Sequence, residues 1–550
     1  MCSRVVAAVA QRRAAIVVAV AAALAACSAP AAVDGGQDAS HEADVMHATC
    51  AGASTCDGTT VRACRKGQLA EALQQCAPSL TCSQGRCISS DCAKAEANQA
   101  SLAGCTFYTF DLQNVTADDS IPTSVLVTNP GQVVANASLE RREAGLWTAV
   151  MTTPVPPLSS ARIVLSAPHL EGGGLETAGA FRLASDEPVM AAHIQSDDST
   201  AQGSSSTGGT LLLPAHVLGR RYRALTYVQV ATPMITVTTG AMHGAGQLVI
   251  VGTQDATTVT ISPTVAAQLG SVPGASPPAK DGSVMLTLED GDLFQLFSTA
   301  DGADLSGTQI AADKPIAVFS GNVSTTYGLT ATGISSPDMA HEQLLPVSSW
   351  STSYVAAELT PQSGVCDTTI VPAGASIWRI VADHEGTDVH FTAGPDAGVP
   401  PPDRTIGPNE VLQVQVIGDF AVTSSMPVLV MQGMDCEPTL SSAVPTTVWL
   451  DDYWFAVLPN FDNLIAVVRR TGQTVYLDGQ VLGGFSTSGA GFDVARVHLD
   501  PCPRAEGVCT HHLQGQFGFT MRGMDVQCSY ALTAPTWVPC SEMGLVGCLN

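Results

Sequence analysis

The chain has 550 residues, 49 acidic and 24 basic, for a formal net charge of −25 at neutral pH. An acidic surface of that size repels phosphate backbones and anionic lipid, which argues against nucleic acid as a partner. Only 13% of residues are charged, while glycine reaches 50, the composition of an extracellular β-protein rather than of a charged, helical cytosolic one.

Arg4, Arg12 and Arg13 precede a short apolar run, Ala14 to Ala23. Spanning a bilayer takes about 20 apolar residues, so this run reads as the core of a secretory signal. It ends in Leu24-Ala25-Ala26-Cys27-Ser28, which resembles a bacterial lipobox. Small side chains at 25 and 26 suit a narrow peptidase site, and the Cys27 thiol is the nucleophile that accepts diacylglycerol. The expectation is a lipoprotein signal over 1–26 and lipidation at Cys27. The product would be exported and held in a membrane, at the outer membrane or cell surface. The plainer alternative is an ordinary signal peptide with a chance cysteine.

Residues 27–49 are rich in Ala, Asp, Gly and Pro without apolar period and read as a flexible tether. His41 and His47 in it read as solvated rather than as metal ligands. A small cysteine-rich module follows over 50–92, with Cys50, Cys56, Cys64, Cys76, Cys82, Cys87 and Cys92, and Cys105 just beyond. So short a segment cannot bury a sufficient core and must be stapled by disulfides. A zinc site would need paired C-x2-C spacings, and none occurs. Of the 17 cysteines, two (Cys2 and Cys27) leave or take lipid. The odd remainder implies a free or intermolecular thiol.

From 93 to 548 the chain reads as all-β: short Val, Ile, Leu, Thr and Tyr runs broken by Gly, Asp, Asn and Pro. The pattern recurs in order. Leu212-Leu213-Pro214 precedes Tyr222, Leu344-Leu345-Pro346 precedes Tyr354, and Val444-Pro445 precedes Tyr453, always at the same Pro-to-Tyr offset. Next come apparent hairpins: 248–251 turning into 258–261, 377–381 into 388–391, and 464–468 into 474–477. The first unit has a weaker copy, 125–127 turning at Asn129-Pro130-Gly131. Second hairpins are expected over 285–296 and 405–416. Units close on apolar strands introduced by proline, at Pro188, Pro315 and Pro427, where proline removes no ladder bond. The fourth unit departs, with Phe519 to Tyr530 instead. The expectation is tandem antiparallel β repeats of about 100 residues (105–200, 210–330, 340–437 and 440–548). Each is sandwich-like, with four-stranded propeller blades as the alternative.

The ordered set Cys92 to Cys105 with Phe107-Tyr108, Leu212-Leu213-Pro214, Asp313-Lys314-Pro315-Ile316-Ala317-Val318-Phe319-Ser320-Gly321 and His341-Glu342-Gln343-Leu344-Leu345-Pro346 with Trp350 and Tyr354 resembles the IgGFc-binding protein amino-terminal domain family, over about 92–548. The resemblance implies binding and adhesion, and no catalytic residue.

Enzyme motifs fail on inspection. His341-Glu342 begins like a zinc-protease helix, but Leu345 stands where the second histidine belongs, and proline follows. His384-Glu385 with His390 lies across a turn, and His511-His512 reads as a loop pair. No nucleophile elbow or phosphate loop occurs, and 203–209 reads as a flexible linker. Calcium is conceivable at Asp197-Asp198, Asp290 with Asp292, or Asp451-Asp452, although turns favour Asp anyway. Cys502–Cys509 and Cys528–Cys548 are the expected carboxyl-terminal disulfides.

The function read from sequence is binding of an extracellular protein or glycan by a tethered β-scaffold. A structural role in the envelope or matrix is the alternative, with polysaccharide hydrolysis third. A hydrolase would line a cleft with Trp350, Trp378, Trp449 or Trp454 beside two carboxylates.

Overall fold

The computed structural model describes residues 54–534, apart from 66–67, 84, 99–100, 113–121, 166–172, 198–206, 230–243, 265–266, 268–281, 326–337, 360–375, 396, 400, 435–437, 504–506 and 526–527. The signal, Cys27, the tether, Cys50 and Cys548 lie outside the described residues, as does the Cys528 side chain. Met1–His47 and Ala48–Asn550 separate as two units, and the described residues belong to the second.

The cysteine module is a three-stranded meander, Ser54–Asp57, Thr60–Arg65 and Gln68–Gln75, followed by the hairpin Thr81–Ser83 and Arg86–Ile88. Its buried apolar side chains are few, among them Val61, Ala63 and Ile88. Cys56–Cys82 and Cys76–Cys87 staple the pieces together, and Cys64 is also disulfide-bonded. A short helix, Ser90–Ala97, follows. Its eight residues are too few to show a sustained period. Its start is nonetheless written in Ser89, whose hydroxyl accepts from Cys92 N at 3.0 Å. Cys92–Cys105 and the hydrogen bond from Ser89 Oγ to Glu187 fasten the helix to the β-array.

Beyond the module the strands fall into four groups that share one plan. In the first, the 15-residue strand Phe181–Gln195 pairs through its first half with Gly104–Thr109 and Ala135–Glu143. Its second half pairs with Ser124–Asn129 and Gly208–Leu212. The pairing with Gly104–Thr109 shifts register between Ala184 and Val189, a bulge that lets one strand serve two sheets. Phe420–Met434 plays the same part in the third group, and Cys509–Asp525 in the fourth. In the second group the line is broken at Asp313-Lys314-Pro315 into Gln309–Ala312 and Ile316–Thr325, leaving two separate sheets of four and five strands. A propeller blade is a single sheet. Here the second group spreads over two sheets, and in the other three the long strand joins two sets of strands, one along its first half and one along its second, a sandwich-like plan.

The apparent hairpins are corrected by this plan. Gly246–Gly252 and Thr257–Ser262 do not pair with each other. The first pairs with Leu293–Phe297 and Ile316–Thr325, the second with Val284–Leu288 and Gln309–Ala312. Likewise Val284–Leu288 and Leu293–Phe297 belong to different sheets, and the strands of 405–416 do not pair with each other: Arg404–Ile406 pairs with Thr387–Ala393, and Val411–Gln415 with Ile377–Ala382. The turns are arches between layers. The burial differs with the sheet: Gly246–Gly252 is buried at every residue, whereas Thr257–Ser262 alternates.

The last strand of each group, ahead of the Leu-Leu-Pro turn or its counterpart, faces the others. Gly208–Leu212 lies beside Asp338–Gln343 and Cys528–Thr533, and Thr439–Ser442 closes the cycle between those two. Four strands approach closely only if some side chains are missing. A Cβ on Gly208 would sit 2.7 Å from His341 Nδ1, and one on Gly209 2.9 Å from Tyr530 Cβ. Hydroxyls and amides join the strands: Thr210 Oγ1 accepts from Gln343 N at 2.8 Å, and Gln343 Oε1 accepts from Leu213 N at 2.7 Å. Ser441 and Thr533 bond through their hydroxyls.

Arginine–aspartate pairs lie between successive groups. Arg142 meets Asp255 at 2.6 Å between the first and second. Arg221 and Arg223 share Asp383 (2.6 and 2.7 Å), and Arg379 meets Asp304 at 2.6 Å, between the second and third. Arg496 meets Asp419 between the third and fourth. Between the fourth and first, Thr510 Oγ1 donates to Ser160 Oγ at 2.8 Å.

Candidate binding cleft

A cleft of about 700 Å³ lies between the cysteine module and the first two β groups. Its polar side chains converge from three sources: Arg86 from the module hairpin, Tyr108, Trp147 and Arg182 from the first group, and Asp290 and Lys314 from the second.

Tyr108 sits on Gly104–Thr109 and Trp147 on Leu146–Val155, the strand after the tight turn Ala144-Gly145, both with positive φ. Asp290 holds the two rings from the opposite side. Tyr108 Oη donates to Asp290 Oδ1 at 3.0 Å, and Trp147 Nε1 donates to Oδ2 at 2.7 Å. The rings meet edge-on, centroids 6.2 Å apart. The Arg182 guanidinium lies 4.6 Å from the Trp147 ring centre, and its Nε bonds Glu140 at 2.7 Å. Gly291, at φ +87°, leaves room for the indole: a Cβ there would lie 2.9 Å from Trp147 Cη2.

Burial pushes the Asp290 carboxyl up, while Trp147, Arg182, Arg142 and Tyr108 pull it down. Burial and the Asp290 charge push the Tyr108 phenol well up. Arg86 is driven down by burial against the pull of Glu96. Both Asp290 oxygens are occupied in holding aromatic rings. The site presents a preorganised aromatic and cationic wall suited to holding a ligand.

Of these residues, only Tyr108 and Lys314 stood in the sequence motifs as part of the resemblance, and Asp290 as part of a calcium pair. Trp147 belongs to no recurring motif of the sequence. Its signal was a strand of alternating Trp, Thr, Val and Met just after Glu143-Ala144-Gly145. The four tryptophans that would have marked a hydrolase cleft are elsewhere. Trp350 and Trp378 are fully buried in the cores, Trp449 packs on Phe492, and Trp454 stacks on His512 at 3.9 Å.

The remaining candidates are dispersed. His341 and Glu342 lie on a buried strand, not a helix, among the four facing strands. His390 pairs with Asp403 at 2.8 Å. His511 and His512 sit in the long strand Cys509–Asp525 rather than in a loop, and point to opposite faces, toward Asp478 and Asp452. The acidic pairs are otherwise engaged: Asp197 by Arg162 and Ser124, Asp292 by the backbone N–H of Ala178 and Glu289. Asp198 lies outside the described residues. Among the described residues no group of three or more His, Cys, Asp or Glu is placed to hold a metal, and no helix is long and apolar enough to cross a membrane. Cys502 and Cys509 are joined, with Cα atoms 5.6 Å apart.

Comparison with known proteins adds a family. No curated protein matches the chain. Among solved structures, the tetra-tandem repeat in the extending region of a large adhesion protein is 12% identical over 78% of this chain and 97% of its own, at a TM-score of 0.08. The native conformation of E. coli alpha-2-macroglobulin is 11% identical over 87% of this chain and 31% of its own, at 0.09. Scores so low carry no argument. The family model described as IgGFc binding protein matches residues 208–523, more than half of the chain but starting later than the motifs from Cys92 onward. Through the second, third and fourth β groups, the chain belongs to the IgGFc binding protein family.

Proposed function

We propose that this protein is an exported lipoprotein, anchored through Cys27, that binds an extracellular protein or glycan in the cleft between its cysteine module and its first two β groups. The family supports protein binding. The observation that carries the reading is the Asp290-braced pair of Tyr108 and Trp147. Rigid aromatic side chains offer contact area at little entropic cost, and the neighbouring arginines add directional donors. Ser54, Thr55 and Cys56 of the module complete the cleft.

The test is a protein- and glycan-array screen with the soluble chain beginning after Cys27, alongside protease shaving of whole cells. Saturable binding that Trp147→Ala weakens at least tenfold, by an exposed protein released on Cys27→Ser substitution, establishes the reading. Binding that ignores Trp147→Ala moves the site elsewhere, and retention of the Cys27→Ser protein in the membrane removes the anchor.

A further inference from the structure

We propose that a second cavity, between the third and fourth β groups, is a calcium site in which Glu358 and Asp419 supply the carboxylates. The cavity measures about 230 Å³ and is lined by Glu358, Asp419, Arg496, Ser486 and Thr487, with backbone at Gly394 and Gly418. It is separate from the aromatic cleft.

Glu358 points to a ligand. It is only 2% exposed. Its Oε2 accepts from Gly418 N at 2.8 Å, but its Oε1 is buried with no hydrogen-bond partner among the described residues. An ionised carboxylate left in that condition is costly unless something positive meets it. Arg496 does not. Its Nη2 is spent on Asp419 Oδ1, and its Nε donates to the Glu358 backbone carbonyl at 2.6 Å. Asp419 Oδ1 also accepts from Glu358 N at 2.9 Å. Two carboxylates therefore face one guanidinium, leaving one negative charge over. The nearby Asp493 is already matched by Arg469 at 3.4 Å. The contrast with the preceding seam is direct: there Asp383 and Asp304 meet three arginines, Arg221, Arg223 and Arg379.

The oxygens suit calcium. Glu358 Oε1, the second Asp419 oxygen and the Ser486 hydroxyl, whose proton goes to Val494 O at 3.4 Å, are hard donors from both groups, and the cavity has room for waters to complete six to eight ligands. Calcium accepts such an irregular set, whereas magnesium demands near-octahedral geometry. Only two carboxylates contribute, one of them shared with Arg496. The affinity therefore belongs at the weak end, about 10⁻⁴–10⁻³ M, as in extracellular modules.

Equilibrium dialysis of the soluble chain beginning after Cys27 with radioactive calcium tests this, together with thermal unfolding in chelator and in calcium. The expected result is one ion bound per chain at this site, a Tm raised by calcium, and loss of both in Glu358→Gln. Circular dichroism checks that the variant folds. Should it fail to fold, Ser486→Ala, which removes a neutral ligand, is expected to weaken binding severalfold. No uptake at about 10 mM calcium, well above the weak limit, overturns the proposal. Unchanged uptake in either folded variant also overturns it.

Discussion

The Tyr222 hydroxyl donates to the carbonyl of Ile316 at 2.7 Å and accepts from Gly219 N at 2.8 Å. Tyr354 repeats the arrangement, donating to Val428 at 2.6 Å and accepting from Ser351 N at 2.9 Å. Ile316 and Val428 each follow the proline that opens the apolar strand. One hydroxyl thus ties the turn after Leu-Leu-Pro to the point where the long strand passes between sheets. The other groups depart from this. Phe107 stands opposite Leu183 as Tyr222 stands opposite Ile310, and brings no hydroxyl. Tyr453 packs on Phe519, its ring centre 5.3 Å away, and its buried hydroxyl has no partner among the described residues.

These differences predict an ordered set of phenylalanine substitutions. Tyr222→Phe and Tyr354→Phe leave a buried N–H and carbonyl unpaired and are each expected to cost about 1–3 kcal/mol. Tyr453→Phe removes a polar group that is already unsatisfied and is expected to be neutral or stabilising. Denaturant unfolding of the three variants checks the ranking, and an equal loss in all three would contradict it.

Asp383→Ala is expected to be among the most damaging single changes. The Asp383 side chain is 1% exposed and holds both Arg221 and Arg223, the latter 6% exposed. Removing the acid strands a buried guanidinium, at a cost of about 3–5 kcal/mol. Replacing the exposed Asp91, paired with Lys94 at 2.6 Å on the helix surface, is expected to cost under about 1 kcal/mol. Thermal unfolding compares the two.

Acid is expected to act through the buried His193 and His341, whose rings lie 5.2 Å apart. Burial pushes His341 down to about 4, and burial and His341 push His193 well down. The unfolded chain therefore takes up these protons first. Stability from the pair is complete above the ordinary histidine value near 6.5 and is lost as pH falls toward about 4. For His341 alone the loss is roughly 3 kcal/mol. Glu342, pushed well up by burial, acts in the opposite sense as pH falls toward the ordinary carboxyl range. The measurement is therefore a difference: His341→Phe should narrow the stability gap between pH 7 and pH 4.5 relative to the unsubstituted chain. An unchanged gap would remove His341 from the effect.

Thiol labelling before reduction is expected to spare Cys56, Cys64, Cys76, Cys82, Cys87, Cys92, Cys105, Cys502 and Cys509, all of them disulfide-bonded. Intact mass and peptide mapping read the result. Selective reduction of Cys92–Cys105 is expected to loosen the helix Ser90–Ala97, because its other ties to the array, the two Ser89 bonds and the Cys92 Sγ contact with Ser185 O, are polar contacts rather than covalent links. Hydrogen exchange over that helix checks it.

The recurring motifs were legible because each does a local job. Proline opens a strand where no ladder bond is lost, and tyrosine follows at the distance a short turn requires. The all-β character, the stapled module and the absence of a protease helix at His341-Glu342 rest on composition and near-neighbour spacing alone. The arches were illegible for a related reason: a turn between two strands looks alike whether its arms pair or part. Only the register with a third strand, such as Ile316–Thr325 for Gly246–Gly252, separates the cases.

By itself, then, the sequence determined the strand content, the order of the motifs, the disulfide-stapled module and the family resemblance, because these depend on side-chain period and short-range chemistry. The tertiary structure decided what meets across long separations. Asp290 with Tyr108 and Trp147, Arg223 with Asp383, and Glu358 left one positive charge short beside Asp419 and Arg496 are all pairings of this kind. Each joins residues from different strands or groups. They exist because a strand shared between two sheets and a closed cycle of four inner strands bring distant segments into contact, which no local pattern encodes.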